Sequence, residues 1–163
     1  GDEDEDIDSG VEVSLDNLSK GKGTVVVSGS ESINILDETV VVANLPTTVN
    51  GKSYNVNRAT VGGTAAGDPT VSIYFYIPES LNQTTPPNGT FQITTESAAL
   101  DDTYVSIFVI GETDTYNSNS MSTGTVTVTN SSPSTFSFDV VFDGRNITSF
   151  DDGSVEVRGA FKF

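Results

Sequence analysis

Apolar and polar residues alternate along this chain in short stretches that are separated by turn residues. The clearest stretch, residues 71–77, alternates four apolar side chains with one serine and two tyrosines. Its members are Val71, Ser72, Ile73, Tyr74, Phe75, Tyr76 and Ile77. Because successive side chains of a strand point to opposite faces, this pattern predicts a strand with one buried face. No window has a convincing helical period, and residues 97–102 could hold at most one helical turn.

Turn residues divide the chain into short predicted strands. Asn50-Gly51 lies between two such stretches and predicts a type I′ hairpin, because both residues tolerate a positive φ. Residues 57–69 and 78–88, which contain Gly-Gly and Pro-Pro pairs, predict long loops. The predicted strands and apolar stretches are residues 11–15, 24–27, 32–36, 39–45, 47–49, 52–56, 71–77, 90–95, 104–110, 124–129, 135–142 and 154–162. The remaining predicted turns are residues 97–103, 111–122, 130–134, 143–144 and 151–153. About ten to twelve short strands at this spacing predict an all-β fold, an antiparallel β-sandwich or, as the alternative, a lipocalin-like up-and-down barrel.

The C-terminal strands indicate where the core of a single all-β domain, residues 11–163, should lie. Two sets of apolar residues each share one strand face, namely Phe136, Phe138, Val140 and Phe142, and Val155, Val157, Phe161 and Phe163. A register slip of one residue would bury Asp139 or Arg158 instead, so the register should be strongly specified.

Charge and missing residue types exclude most activities. Lys+Arg 7 against Asp+Glu 23 gives a net charge of −16, which excludes a nucleic-acid partner because such binding needs basic residues on the phosphates. The chain has no Cys and no His, and so lacks thiol and imidazole catalysts, disulfides and the usual zinc ligands. Two carboxylates suffice for glycoside hydrolysis, so a carboxylate-dependent glycosidase that uses Asp139 and Glu156 is a further alternative, although both residues are predicted to face solvent from strands. We therefore predict a non-enzyme without cofactor or metal, and no apolar run is long enough for a transmembrane segment.

The N-terminus is predicted to be an acidic, disordered tether over residues 1–10. Six of the first eight residues are Asp or Glu, and such closely spaced charges repel one another. Asp4, Asp6 and Asp8 have the spacing of a calcium-binding loop. Ser9 stands where that loop needs Gly, and Leu15 where it needs Glu, so a solvated tether is favoured.

Four segments carry a resemblance to a known group of proteins. They read Val-Asn-Gly-Lys-Ser-Tyr at residues 49–54, Val-Ser-Ile-Tyr-Phe-Tyr-Ile at 71–77, Gly-Thr-Phe-Gln-Ile at 89–93 and Gly-Thr-Val-Thr-Val at 124–128. Over residues 47–163 the chain resembles small all-β lipoprotein domains of unknown function that are common in Bacteroidetes. The resemblance implies an outer-membrane lipoprotein exposed at the cell surface, or a secreted or periplasmic protein, anchored by a lipidated cysteine ahead of Gly1. It also offers a second interpretation of the acidic tail, as an export signal that follows this cysteine.

The leading functional hypothesis is a binding or structural role at the cell surface or outside the cell. Tyr74 and Tyr76 share the polar face of their strand, about 6.5–7 Å apart, and are the predicted ligand-binding residues for an extracellular glycan or protein. The alternative is that both tyrosines only cover a sheet face beneath residues 57–69 or 78–88. The absence of Trp weighs against a glycan. A barrel that carries a small apolar ligand is a further hypothesis, because residues 104–110 are apolar on both faces.

Overall fold

The computed structural model describes residues 13–130, 135–142 and 153–163. These residues form eleven strands: β1 (Lys22–Gly29), β2 (Ile33–Thr39), β3 (Val41–Val49), β4 (Lys52–Gly62), β5 (Thr70–Pro78), β6 (Gly89–Gln92), β7 (Tyr104–Ile110), β8 (Thr115–Asn117), β9 (Thr123–Thr129), β10 (Thr135–Phe142) and β11 (Val155–Lys162). Two single 3₁₀ turns, Leu15–Asn17 and Glu79–Leu81, are the only helical segments among them. The described part of the chain has no helix that is long and apolar enough to cross a membrane. The tether predicted at residues 1–10 and the turn predicted at 143–144 lie outside the described residues.

The strands form two antiparallel sheets. One sheet has six strands in the order β2-β1-β11-β10-β9-β6, and the other has five in the order β3-β4-β5-β7-β8. The chain changes sheets at Val40, between β2 and β3. It changes sheets again after β6, where Ile93 makes a parallel bridge with Val105 of β7. The chain also passes between the sheets from β5 to β6 and from β8 to β9, so four crossings join the two sheets, which stack face to face.

The interface between the sheets is filled by apolar side chains. The apolar face predicted for residues 71–77 lies in this core, and all four of its members are fully buried. The six-stranded sheet contributes the predicted C-terminal set, including Phe136, Phe138, Phe142, Val155, Val157 and Phe161. The predicted antiparallel β-sandwich is therefore confirmed. The barrel alternative is wrong, because the strands divide into two sheets with side chains packed between them.

The predicted loop at residues 57–69 is wrong in its first half. β4 continues to Gly62, and the loop begins only there. Ala59 and Val61 are fully buried in the core, but they follow a polar run, Asn55 to Arg58 broken only by Val56, that disguises the alternation in the sequence. Asn57 also faces inward, with its amide donating to the carbonyl of Thr84 at 3.3 Å.

Three smaller predictions of the chain path are also wrong. The run predicted at residues 39–45 is interrupted at Val40, where the chain passes to the other sheet. β8 lies within the predicted turn 111–122 and adds a short edge strand to β7. Of the apolar stretch 11–15, residues 13 and 14 form no strand and Leu15 begins a 3₁₀ turn.

Candidate binding face

The predicted ligand-binding residues, Tyr74 and Tyr76, lie on the outer face of the five-stranded sheet, away from the six-stranded sheet. Phe75, which separates them on β5, is fully buried in the core between the sheets. Strand alternation therefore turns both tyrosines outward, as the sequence predicted. Their environments differ, however, since Tyr76 is buried and Tyr74 is half-buried.

Tyr76 belongs to a cluster of three packed tyrosines. It is 6% exposed and stacks on Tyr104, with ring centroids 4.7 Å apart and planes 6° from parallel. Tyr54 packs edge-on against both rings, at 5.9 Å from Tyr76 and 5.6 Å from Tyr104. Stacked and edge-to-face contacts are the arrangements that aromatic quadrupoles favour. We call these three residues the tyrosine cluster. They form a second small core. Because Tyr76 is buried in it, Tyr74 and Tyr76 do not present two adjacent open rings.

Residues 96–101, in the connection between β6 and β7, cover the tyrosine cluster. The hydroxyl of Tyr54 donates to the carbonyl of Leu100 at 2.7 Å. The hydroxyl of Tyr104 donates to the carbonyl of Glu96 at 3.4 Å. The sequence predicted a cover formed by residues 57–69 or 78–88, but a different connection supplies these two carbonyl groups.

The hairpin between β3 and β4 holds the same covering segment. Asn50 and Gly51 have φ values of 48° and 84°, which agrees with the predicted type I′ turn. The side-chain amide of Asn50 donates to the carbonyl of Ser97 at 3.3 Å. Lys52 forms an exposed ion pair with Asp101. Their hydrogen bond raises the pKa of Lys52 and lowers the pKa of Asp101.

The tyrosine cluster is protonated at neutral pH. Desolvation, with the nearby charge of Glu96 as a second cause, raises the pKa of Tyr76 to about 12. Burial also raises the pKa of Tyr104 and of Tyr54. The hydroxyls of this cluster therefore act as hydrogen-bond donors and not as tyrosinate bases or nucleophiles.

Tyr74 and Arg58 form the more open part of the outer face. They are register partners on β5 and β4, and both are half-buried. Tyr74 packs at the margin of the tyrosine cluster. Arg58 makes no hydrogen bond or ion pair with any described residue, and its Nε is buried without an acceptor. Sequence reasoning missed Arg58 because residues 57–69 were predicted to be a loop. The signal that could have found it is the alternation of the apolar residues Ala59 and Val61 with Arg58 and Thr60.

Two cavities lie away from this pair. A groove of about 390 Å³ at the end of the outer face is lined by residues that include Lys52, Tyr54, Pro78, Leu100 and Asp101. A second cavity, of about 260 Å³, lies beside β2 and has Glu38, Asp68 and Glu112 in its wall. No group of three or more carboxylates within the described residues is arranged to hold a metal ion.

The carboxylates considered for glycoside hydrolysis lie on the six-stranded sheet. Asp139 on β10 is the register partner of Arg158 on β11, and Glu156 is the partner of Val141. Glu156 is exposed and lines neither of the two cavities.

Comparison with protein-family models, with curated proteins and with solved structures finds no match for this chain. The assignment of a function therefore depends on the residues of the outer face and on the composition of the chain.

Proposed function

We propose that this chain is a non-enzymatic binding domain of a secreted or cell-surface lipoprotein, and that it captures an extracellular glycan or protein on the outer face of the five-stranded sheet. The observation that carries the proposal is the unpaired guanidinium of Arg58 beside the half-buried ring of Tyr74. An arginine and an aromatic ring at one site supply charge-assisted hydrogen bonds and a stacking surface, a combination enriched at binding hot spots.

The tyrosine cluster supports this role by making the site rigid. Tyr76 and Tyr104 lie on the strands that carry or flank Tyr74, and their stacked rings are held by the cover of residues 96–101. A ligand that binds to a preformed surface loses less free energy to ordering the protein. Tyr76 therefore acts in this proposal as a support for Tyr74 and not as a contact to the ligand.

The proposed location is supported by composition and by the resemblance to Bacteroidetes lipoprotein domains. A tether with six carboxylates in its first eight residues would hold a lipid-anchored domain away from an anionic membrane surface, because like charges repel.

Binding to glycan and peptide arrays tests the proposal. We expect the wild-type chain to give a set of positive ligands, and Tyr74→Ala to lose them while its melting temperature falls by no more than about 4 °C. Met121→Ala is the control, since Met121 is an exposed apolar residue outside this face, 72% accessible, between β8 and β9. No positive ligand on either array, or ligands that both Tyr74→Ala and Arg58→Gln bind like wild type, would overturn the proposal.

A further inference from the structure

Arg58 and Lys52 are both cations on the outer-facing positions of β4, but only one of them is paired. Lys52 contacts the carboxylate of Asp101 at the end of the strand. Arg58 lies six residues further along β4, on the same face, where its register partners are Ala43 and Tyr74. Neither partner carries a negative charge, so these register positions leave Arg58 without a counter-ion.

This unpaired donor is costly and is not required by the fold. A buried polar group without a hydrogen-bond partner is destabilising, and nearly all such groups in native proteins are paired. The chain has 23 carboxylates and 7 basic residues, so a partner carboxylate would be easy to supply. Asn57 Oδ1 and Thr103 Oγ1 also lack a partner, but of the three residues only Arg58 is charged and only Arg58 is half-buried, so a ligand can supply its counter-ion.

We propose that Arg58 binds the carboxylate of an acidic sugar unit in a glycan, with the ring of Tyr74 against the sugar; this inference rests on the proposed function. The guanidinium fork matches a carboxylate in a bidentate geometry. The net charge of −16 repels polyanions, while one unpaired arginine matches one carboxylate. The ligand is therefore a largely neutral glycan that carries a single acidic unit.

A saccharide fits this face better than a peptide does. Peptides commonly bind a sheet by adding a strand to an open edge, or by filling a groove. β4 is paired on both sides, with β3 and with β5, so no free backbone edge lies beside Arg58. The larger of the two cavities described above lies at Lys52 and Asp101, at the far end of the face. A shallow surface with one ring and one cation suits the flat face of a sugar.

The direct test follows the arginine Nε–H signals of the wild-type chain by ¹H–¹⁵N NMR. The probes are a tetrasaccharide whose only charged unit is a terminal glucuronic acid, and its glucuronamide counterpart, which has the same shape without the charge. We expect the acid to shift the Arg58 Nε–H signal and the amide to bind about 10- to 100-fold more weakly, the range expected for losing a charge-assisted hydrogen bond. Arg58→Gln should lose the preference for the acid, and Arg158→Gln, the matched change on the six-stranded sheet, should keep it.

The outcomes separate this inference from the proposed function. Equal binding of the acid and the amide, with Tyr74→Ala abolishing both, would overturn the carboxylate inference and leave the capture function standing. If a peptide with a single glutamate shifted the Arg58 Nε–H signal and bound at least as tightly as the acidic tetrasaccharide, the choice of a saccharide would be wrong. Absence of binding by any glycan or peptide would overturn both proposals. Because the NMR test uses the wild-type chain, it decides the question even if a variant fails to fold.

Discussion

The carboxylate of Glu31 accepts a hydrogen bond from the backbone N–H of Asp114 at 2.9 Å, and so joins a turn of one sheet to a turn of the other. Glu31 lies between β1 and β2, whereas Asp114 lies between β7 and β8. The N–H of Glu112 donates to the same carboxylate at 2.8 Å. The backbone can reach it because residue 111 is Gly; a Cβ there would lie 2.4 Å from the carboxylate oxygen.

Glu31→Gln should destabilise the sandwich. The substitution removes the charge that strengthens these hydrogen bonds, and we expect it to lower the free energy of unfolding by about 1 kcal/mol. Gly111→Ala should cost a similar amount by displacing the carboxylate, and the double variant should cost less than the sum of the two. Urea unfolding gives all three values. Glu79→Gln, which makes the same charge change on an exposed 3₁₀ turn, is the control; an equal loss there would contradict the role of Glu31.

Gly159→Ala should be one of the more damaging small substitutions in this chain. Gly159 pairs with Phe138 across β11 and β10, and the Phe138 ring lies so close that an added Cβ would be 2.1 Å from its Cζ. Overpacking of this kind costs about 1–3 kcal/mol. Phe138→Leu removes the terminal ring carbon, so Gly159→Ala should cost less in that background. An equal cost in both backgrounds, measured by urea unfolding, would show that the ring is not the obstacle.

The sequence predicts the strands well where burial follows a period of two. β7 and β10 have the predicted bounds, β5 is longer than predicted by one residue at each end, and β11 begins one residue later than predicted. The second half of β4 escaped prediction because Asn57, a polar residue, occupies an inward position on it. Its amide bonds to Asn44 and Thr84, which are distant in the sequence, and no local pattern shows that these partners exist.

The outer face was only partly predictable for a related reason. Alternation in β5 predicts that Tyr74 and Tyr76 share a face, but it does not tell which of them is covered. The stacking of Tyr76 on Tyr104 requires the register between β5 and β7, and its cover requires the path of residues 96–101. Both depend on contacts between separate parts of the chain, and a single sequence does not determine them.

Alkaline pH should unfold this chain through its tyrosines. Burial raises the pKa of Tyr76 and of Tyr116 to about 12, whereas tyrosines of an unfolded chain titrate near pH 10, at about their reference value. Between these values the unfolded state binds fewer protons than the folded state. The contribution of these tyrosines to the free energy of unfolding should therefore be constant below about pH 10 and fall as the pH rises towards 12.

Tyrosinate absorbance and far-UV circular dichroism, followed together, check this prediction. The signal of the buried tyrosines should appear only as the strands unfold. Tyr76→Phe should reduce the slope of stability against pH above about pH 10, because one of the linked groups is gone. Ionisation of all five tyrosines near pH 10 in a fully folded chain would contradict the burial of the tyrosine cluster.

Truncation to alanine should affect mainly stability at Tyr76 and mainly ligand binding at Tyr74, although the two residues are neighbours on one strand face. Tyr76 is 6% exposed, and its ring contacts Tyr54 and Tyr104 on the neighbouring strands. Removing such a ring leaves a cavity, so Tyr76→Ala should lower the free energy of unfolding by about 3 kcal/mol or more. Tyr74 lies at the margin of the cluster, so Tyr74→Ala should cost at most about 1 kcal/mol and act mainly on ligand binding.

Urea unfolding of the two variants, with array binding measured on the folded protein, separates the effects. Tyr76→Phe is the control for Tyr76→Ala, because it keeps the stacked ring and should retain most of the stability. Since Tyr76 acts through its support of Tyr74, Tyr76→Phe should also bind ligands like wild type, whereas Tyr74→Ala should not. If Tyr76→Ala instead kept wild-type stability and lost binding, Tyr76 would be an open contact residue, and the division of labour between the two tyrosines would be wrong.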